Sequence, residues 1–552
     1  MLGAAVLGLL GGCSASGLLV VPTTVTLAEE QSWSLAPWVS GADVRLAVTG
    51  LPPGASWDES AGRLAFTPDA TQGGQEWSVV FRAWSEDGVA EHTVEVEVQD
   101  TIAPPAPSVT ASTDQGDHVL YQVSQRVDSW LDAPGWVDRN VRALVAVPTG
   151  EHSPGSLPVV LDLHGLGGEL HNAGSPDRIR VTPYDPQDSG WWGYTEGLPE
   201  RESAGDSVPY TRRRVLHLLA WVLDTWPQAD PERVYLRGGS MGGTGALGLG
   251  LEHARHFAGV QAQRAQTVPG FHAPSRLAGL ERLWGSPEAG HMAPDGSSPW
   301  ESQDLGRALI EQAGAQDQWL FLRHGHDDDI IHYAALTGQS PLTGRSFQDL
   351  LQAYAVGHYL VWDEAGHAEP DPVLGEDWWD DGWDPLALLA RDRSFPAFSR
   401  SSLDEEPGDG TANGRRDWDA DRGYAGNPLV AGDTGWSGAV AGAQNRFLRW
   451  DPESLEDSWE TWRIALCAVS GPGSEAPAAG YPSVGNRRDS TQPVTVDVTP
   501  RRVQHFRLLP GEAVAWTAGD QGGQAVADDR GVVTVPGVRV GAHWTELELV
   551  RK

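Results

Sequence analysis

Lysine is nearly missing from this chain. Of 39 Lys and Arg residues only Lys552 is lysine, and they stand against 75 acidic residues for a formal net charge of −36. Gripping a phosphate backbone takes clustered cations, whose reward is released counterions, so this balance argues against a nucleic-acid partner. An acidic surface serves solubility instead. Cysteine is almost as scarce: Cys13 and Cys467 are the only two in 552 residues. The fold is therefore not disulfide-stapled, and stability has to come from packed cores. Cys467 ends the apolar stretch Trp462-Arg-Ile-Ala-Leu-Cys467 and reads as core filler in a strand. No apolar run reaches the roughly 20 residues that a membrane-spanning helix needs.

What is present suggests several units, since domains usually hold about 100–200 residues. Met1 to Gly12 is uncharged and apolar and leads into Leu10-Gly11-Gly12-Cys13. This resembles a bacterial lipoprotein signal, in which the cysteine receives lipid. It departs from that pattern in having no Lys or Arg ahead of the apolar run, the first charged residue being Glu29. The resemblance implies a lipid on Cys13, attachment to a membrane through it, and an extracytoplasmic location, at the cell surface, on the outer membrane or secreted. Residues 14–100 read as a β-sandwich, with Val94, Val96 and Val98 alternating with Glu95 and Glu97. The succession Leu51 to Trp57, Gly62 to Pro68 and Trp77 to Trp84 resembles the immunoglobulin-like repeats of bacterial surface proteins, which implies a spacer, the alternative being an adhesion or carbohydrate module. Residues 101–118, with Ala103-Pro-Pro-Ala-Pro-Ser108, read as a Pro-rich, semi-rigid linker.

From residue 119 to 399 strands alternate with helices. Val141 to Val147, Val159 to Leu163, Val234 to Leu236, Trp319 to Leu322 and Tyr359 to Trp362 are strand-like. Thr211 to Trp226 places Val215, Leu218, Leu219 and Val222 on one helical face, and Pro227 follows its end. Such alternation predicts an α/β fold with a doubly wound, mostly parallel sheet and helices on both faces. Residues 400–552 begin as an irregular acidic loop and end as a β-rich domain, with strands near Val494, Val514, Val532 and Thr545.

Gly238-Gly239-Ser240-Met241-Gly242 fits G-x-S-x-G, between the strand ending at Leu236 and a helix-like run from Gly243. Glycines there let the chain turn sharply and leave the serine hydroxyl exposed at the sheet's edge. Upstream, His164-Gly165-Leu166-Gly167-Gly168 leaves a strand as a glycine-rich turn. Its backbone N–H groups suit a developing oxyanion; Met241 and Leu166 are the expected donors, with Gly165 as substitute for Leu166. His164 precedes the serine and reads as a loop residue. Downstream come His324-Gly325-His326-Asp327-Asp328-Asp329-Ile330-Ile331 and Asp363-Glu-Ala-Gly-His367, each following a strand. Asp328, three past Gly325, is the expected acid, with Asp327 and Asp329 as rivals, and His367 is the expected base. His324, His326, Asp328, Asp329 and His332 are also metal-ligand types, but no second ligand set accompanies them, and neither metal nor cofactor is expected. Asp417-Trp-Asp419-Ala-Asp421 lacks the glycine and glutamate of a calcium loop and reads as a solvated acidic loop. Trp191, Trp192 and Tyr194, between the turn and the serine, are candidate substrate contacts and equally candidates for loop packing.

Residues 157–370 resemble the α/β-hydrolase superfamily. The run Arg233-Val-Tyr-Leu-Arg-Gly-Gly-Ser-Met-Gly-Gly243 is most similar to its prolyl oligopeptidase-like and depolymerase-type esterase branches. The resemblance implies a Ser240–Asp328–His367 triad working through an acyl-enzyme on a small-molecule or polymeric ester. No β-propeller precedes the catalytic region, which favours an esterase over a peptidase. The rivals are a prolyl oligopeptidase-like serine peptidase and a non-catalytic surface binding protein on the same fold.

Overall fold

The computed structural model describes residues 13–552 apart from 371–383, 409–440, 470–491 and short gaps at 17–18, 41–43, 53, 59–60, 69–71, 74, 86–87, 100, 102–103, 173, 295, 326–327, 329, 364 and 369. The signal-like run 1–12 and the acidic stretch 417–421 lie outside the described residues, while Cys13 opens a short strand, Cys13–Ser16. The chain forms two compact units, Met1–Pro105 and Ala106–Lys552.

The first unit is all β. Its four-stranded sheet runs Thr24–Ala28, Gly88–Gln99, Glu76–Ser85, Arg45–Thr49 in space, and a three-stranded sheet runs Trp33–Leu35, Arg63–Phe66, Ser56–Asp58. Val94, Val96 and Val98 face inward and share one core with Phe81, Leu64 and Phe66 from both sheets. The period-two pattern is the cause, since alternate side chains of a strand point to one face.

The second unit is built on a ten-stranded sheet. In chain order its strands are β1 (Ser108–Asp114), β2 (His118–Arg126), β3 (Asn140–Pro148), β4 (Leu157–Leu163), β5 (Ile179–Thr182), β6 (Ala229–Gly239), β7 (Gly259–Gln263), β8 (Trp319–Gly325), β9 (Gly357–Asp363) and β10 (Gly442–Gln444). Their spatial order is β1-β2-β3-β5-β4-β6-β7-β8-β9-β10. The six strands from β5 to β9 pair in parallel, and the strands at either edge pair antiparallel. β1 corrects the linker boundary: residues 108–114 are an edge strand of this sheet.

Helices α1 (Tyr210–Thr225) and α2 (Met241–Glu252) pack on one face, where Val159, Leu161, Val234, Leu236, Leu320 and Leu360 meet Val215, Leu219 and Leu247. The intervening side chains Val160, Tyr235, Phe321 and Tyr359 point to the opposite face and belong to a second core. Among the described residues no α-helix contributes to that core. It is completed by Trp450, Trp462, Val496, Val535 and Leu547 from C-terminal strands. Two corrections follow. The helices expected on the second face are replaced there by β-structure, and residues 400–552 pack with the sheet as one unit rather than as a separate domain. The covering strands form a three-stranded sheet, Phe395–Ser399, Val494–Arg501, Val535–Val540, and a five-stranded one, Leu448–Asp457, Thr461–Ala468, Thr545–Arg551, Ala513–Ala518, Gln521–Val526. Cys467 is buried as a free thiol, and burial pushes its pKa up to about 12.

Candidate active site

β6 ends in Gly238-Gly239, and α2 begins at Met241, so Ser240 is the single residue that turns the chain. It adopts φ 58° and ψ −126°, and its N–H donates to the Gln263 carbonyl on β7 at 2.9 Å. The turn is tight because backbone crowds it. A Cβ on Gly238 would lie 2.2 Å from the Gly242 oxygen, and one on Gly242 would lie 2.0 Å from the Leu163 oxygen.

β8 and β9 lie side by side and end together, with Gly325 opposite Asp363. Asp328 follows β8 and is fully buried. Its Oδ1 accepts from the N–H groups of Ile330 and Ile331 at 2.9 and 2.8 Å. His367 follows β9. Its loop is anchored by Asp363, whose carboxylate accepts from Ala365 N at 3.0 Å and from Arg323 Nη2 at 3.2 Å. A Cβ on Gly325 would lie 2.1 Å from the Ala365 oxygen, so glycine is what lets the two loops close.

Three candidates thereby meet. His367 Nε2 lies 2.9 Å from Ser240 Oγ, and His367 Nδ1 lies 2.8 and 2.9 Å from the two Asp328 oxygens. Burial alone would raise the Asp328 carboxyl, but the His367 hydrogen bond and the nearby His324 outweigh it and hold the pKa below the ordinary value. A carboxylate fixed on one imidazole nitrogen keeps the other free to accept a proton from the serine. The rivals Asp327 and Asp329 lie outside the described residues.

Met241 is the first residue of α2, so its N–H has no partner within the helix. Met241 and Leu166 line the same cavity as Ser240. Gly165 is beside them, since a Cβ built on it would lie 3.8 Å from Ser240 Cβ. His164 holds this turn: its Nδ1 lies 2.8 Å from the Gly165 carbonyl and its Nε2 accepts from Asp185 N at 3.0 Å.

Trp191, Trp192 and Tyr194 are a correction. They are buried, and none borders the cavity. Trp191 Nε1 donates to the His164 carbonyl at 3.0 Å, bracing the turn from behind. Tyr194 bonds Asp132 and accepts from Arg214 Nη1, and Trp192 packs edge-on against Trp284. The cavity, about 580 Å³, is instead walled by α3 (Pro274–Trp284) through Arg276, Leu280 and Trp284, with Gln266, Ile330 and Ile331 completing it. Sequence reading passed over α3. Its signal was the spacing Ala273, Arg276, Leu280, Trp284, one face of a helix between β7 and β8.

Of the metal-type residues, His324 is buried, with Nδ1 3.1 Å from the Gly325 carbonyl. His332 Nδ1 accepts from Ala334 N at 3.0 Å. Among the described residues no group of three His, Cys, Asp or Glu side chains is placed to hold an ion, and His326 lies outside them.

Residues 137–371 match the model of a family described as putative esterase. No curated protein sequence matches the chain. Among solved structures, an S-formylglutathione hydrolase from Agrobacterium tumefaciens is similar at 18% identity, over 47% of this chain and 92% of the other, with a TM-score of 0.35. An acetyl xylan esterase from Paenibacillus sp. R4 is 18% identical over 48% and 84%, TM-score 0.30. An acylaminoacyl peptidase from Pyrococcus horikoshii is 12% identical over 53% and 50%, TM-score 0.31. The second unit is an α/β fold on a mostly parallel sheet, and its residues 137–371 are similar to the family described as putative esterase.

Proposed function

We propose that this protein cleaves carboxylic esters through an acyl-enzyme on Ser240. His367 takes the hydroxyl proton as Ser240 attacks the carbonyl, then gives it to the leaving alcohol. Asp328 holds the imidazole in the tautomer that accepts from serine and stabilises the imidazolium that forms. The N–H groups of Met241 and Leu166, with Gly165 beside them, receive the negative charge that develops on the carbonyl oxygen; one such donor is worth about 3 kcal/mol. Water, activated by the same imidazole, releases the acid. The observation that carries this reading is the continuous contact from Ser240 Oγ through His367 to Asp328. The putative-esterase match favours an ester over an amide bond.

The test is a fluorophosphonate probe followed by peptide mapping, with a panel of aryl esters and aminoacyl amides. One adduct on Ser240 is expected, with ester cleavage that persists in chelator. Ser240→Ala should lose on the order of 10⁴-fold or more in kcat, and Asp328→Asn about 10⁴-fold. A chain that binds no probe, or binds it elsewhere, is not this enzyme.

A further inference from the structure

Among the described residues, no acidic side chain lines the cavity at Ser240. Among them Arg276 is the residue there that is charged at every physiological pH. The walls around it are largely apolar: Leu166, Leu280, Trp284, Ile330 and Ile331. His272 adds no charge, because burial lowers its pKa to about 3.

Arg276 lies in the first turn of α3 and reaches toward the loop before Trp191. Its Nη2 donates to the Asp188 carbonyl at 2.8 Å. Among the described residues no carboxylate is ion-paired with it. Asp185 is close but occupied: its Oδ2 accepts from Ser189 N, Ser189 Oγ and Trp191 N. Asp188 turns its Oδ1 to Gly167 N. A guanidinium has five N–H donors, and one backbone oxygen takes up one of them. Burial works against the charge, lowering the pKa from its ordinary value against the pull of Asp185 and Asp188. Arg276 is half-buried and ion-paired to no carboxylate among the described residues, so an incoming anion gains a charge-assisted contact there.

We infer that the ester cleaved at Ser240 carries an anionic group, such as a carboxylate, that sits against Arg276. This rests on Ser240 being the nucleophile. A planar carboxylate suits the fork of a guanidinium, and the volume of about 580 Å³ holds a small ester with such an end. The rest of the cavity accepts the apolar part of the substrate.

The test uses the full chain and two matched substrate pairs. Aryl hemiglutarate against aryl pentanoate places the anion on the acyl part. 4-Acetoxybenzoate against 4-acetoxybenzamide places it on the alcohol part. Each kcat/KM is divided by the ester's rate in hydroxide. One pair should favour the anion by at least about tenfold, mainly through KM, as a charge-assisted contact would. In Arg276→Met that ratio should fall toward one, and Arg276→Lys should keep part of it. As a measurement free of variants, glutarate should inhibit cleavage of the neutral ester at a tenth or less of the concentration that pentane-1,5-diol requires. Neutral esters cleaved with no preference in either pair, a preference unchanged in Arg276→Met, or equal inhibition by acid and diol would overturn the inference. Failure to cleave any ester or to take up fluorophosphonate would remove the Ser240 reading itself, and this inference with it.

Discussion

His324 is enclosed at the end of β8, 1% exposed, and burial lowers its pKa to about 4. Unfolded, it would titrate near 6.5. Between those values the unfolded chain binds the proton and the folded chain does not, so stability rises with pH across that window. The contribution is complete above about 6.5 and lost as the pH falls through 4, at up to roughly 1.4 kcal/mol per pH unit. Denaturant midpoints should therefore drop between pH 6.5 and 4, and His324→Gln should show a shallower slope; the same slope in both proteins would contradict this. Residues differ in how far sequence alone discloses them. Ser240, Asp328 and His367 were readable because each follows a strand, in a fixed order, at a fixed distance from a glycine. Trp191, Trp192 and Tyr194 were misread because an aromatic cluster looks the same whether it faces a cavity or braces a loop. Arg276 was invisible for the converse reason: nothing near it in sequence shows that it borders the cavity at Ser240.

The turn from β6 to α2 shows how an element can be narrower than its motif. Ser240 at φ 58° holds a strained backbone, a cost of about 1–3 kcal/mol that the surrounding packing sustains. Gly242 has backbone within 2.0 Å of where a Cβ would stand, whereas Gly239 has nothing within 4 Å. Gly242→Ala should destabilise the protein by about 1–3 kcal/mol or more and remove probe labelling. Gly239→Ala should stay within about 1 kcal/mol and keep labelling. Thermal unfolding with fluorophosphonate labelling separates the two, and equal damage from both would refute the argument. Most of the strands around this turn were legible for a plain reason. β4, β6, β8 and β9 alternate between the two cores, so each carries near-continuous apolar residues. β1 was not legible, because its Ser-Val-Thr-Ala-Ser-Thr-Asp is exposed throughout and has no apolar alternation.

Across the whole second unit, the C-terminal strands do the work that a helix layer was expected to do. Arg502 donates to the carbonyls of Ala258, Asp317 and Ala390, and Trp462 Nε1 donates to Ser394 Oγ at 2.8 Å, tying the strands to the sheet. The strands themselves could be read from alternation, but alternation says only that a face is buried, never against what. Cutting the chain after residue 399 should leave Val160, Tyr235, Phe321 and Tyr359 bare and yield insoluble protein. Starting it at Ala106 should leave labelling intact, since Met1–Pro105 is a compact unit of its own. Soluble yield and probe labelling of the two truncations check both outcomes; a soluble, labelled 1–399 would refute the shared core. The order of strands also sets a clock on biosynthesis. Thr545–Arg551 is the middle strand of the five-stranded sheet, paired on both sides. A bacterial or eukaryotic ribosome adding roughly 5–20 residues per second needs roughly 10–40 s to travel from Asp363 to Arg551. Until that strand arrives the five-stranded sheet lacks its middle member, so the apolar face of the parallel sheet is incompletely covered during that interval.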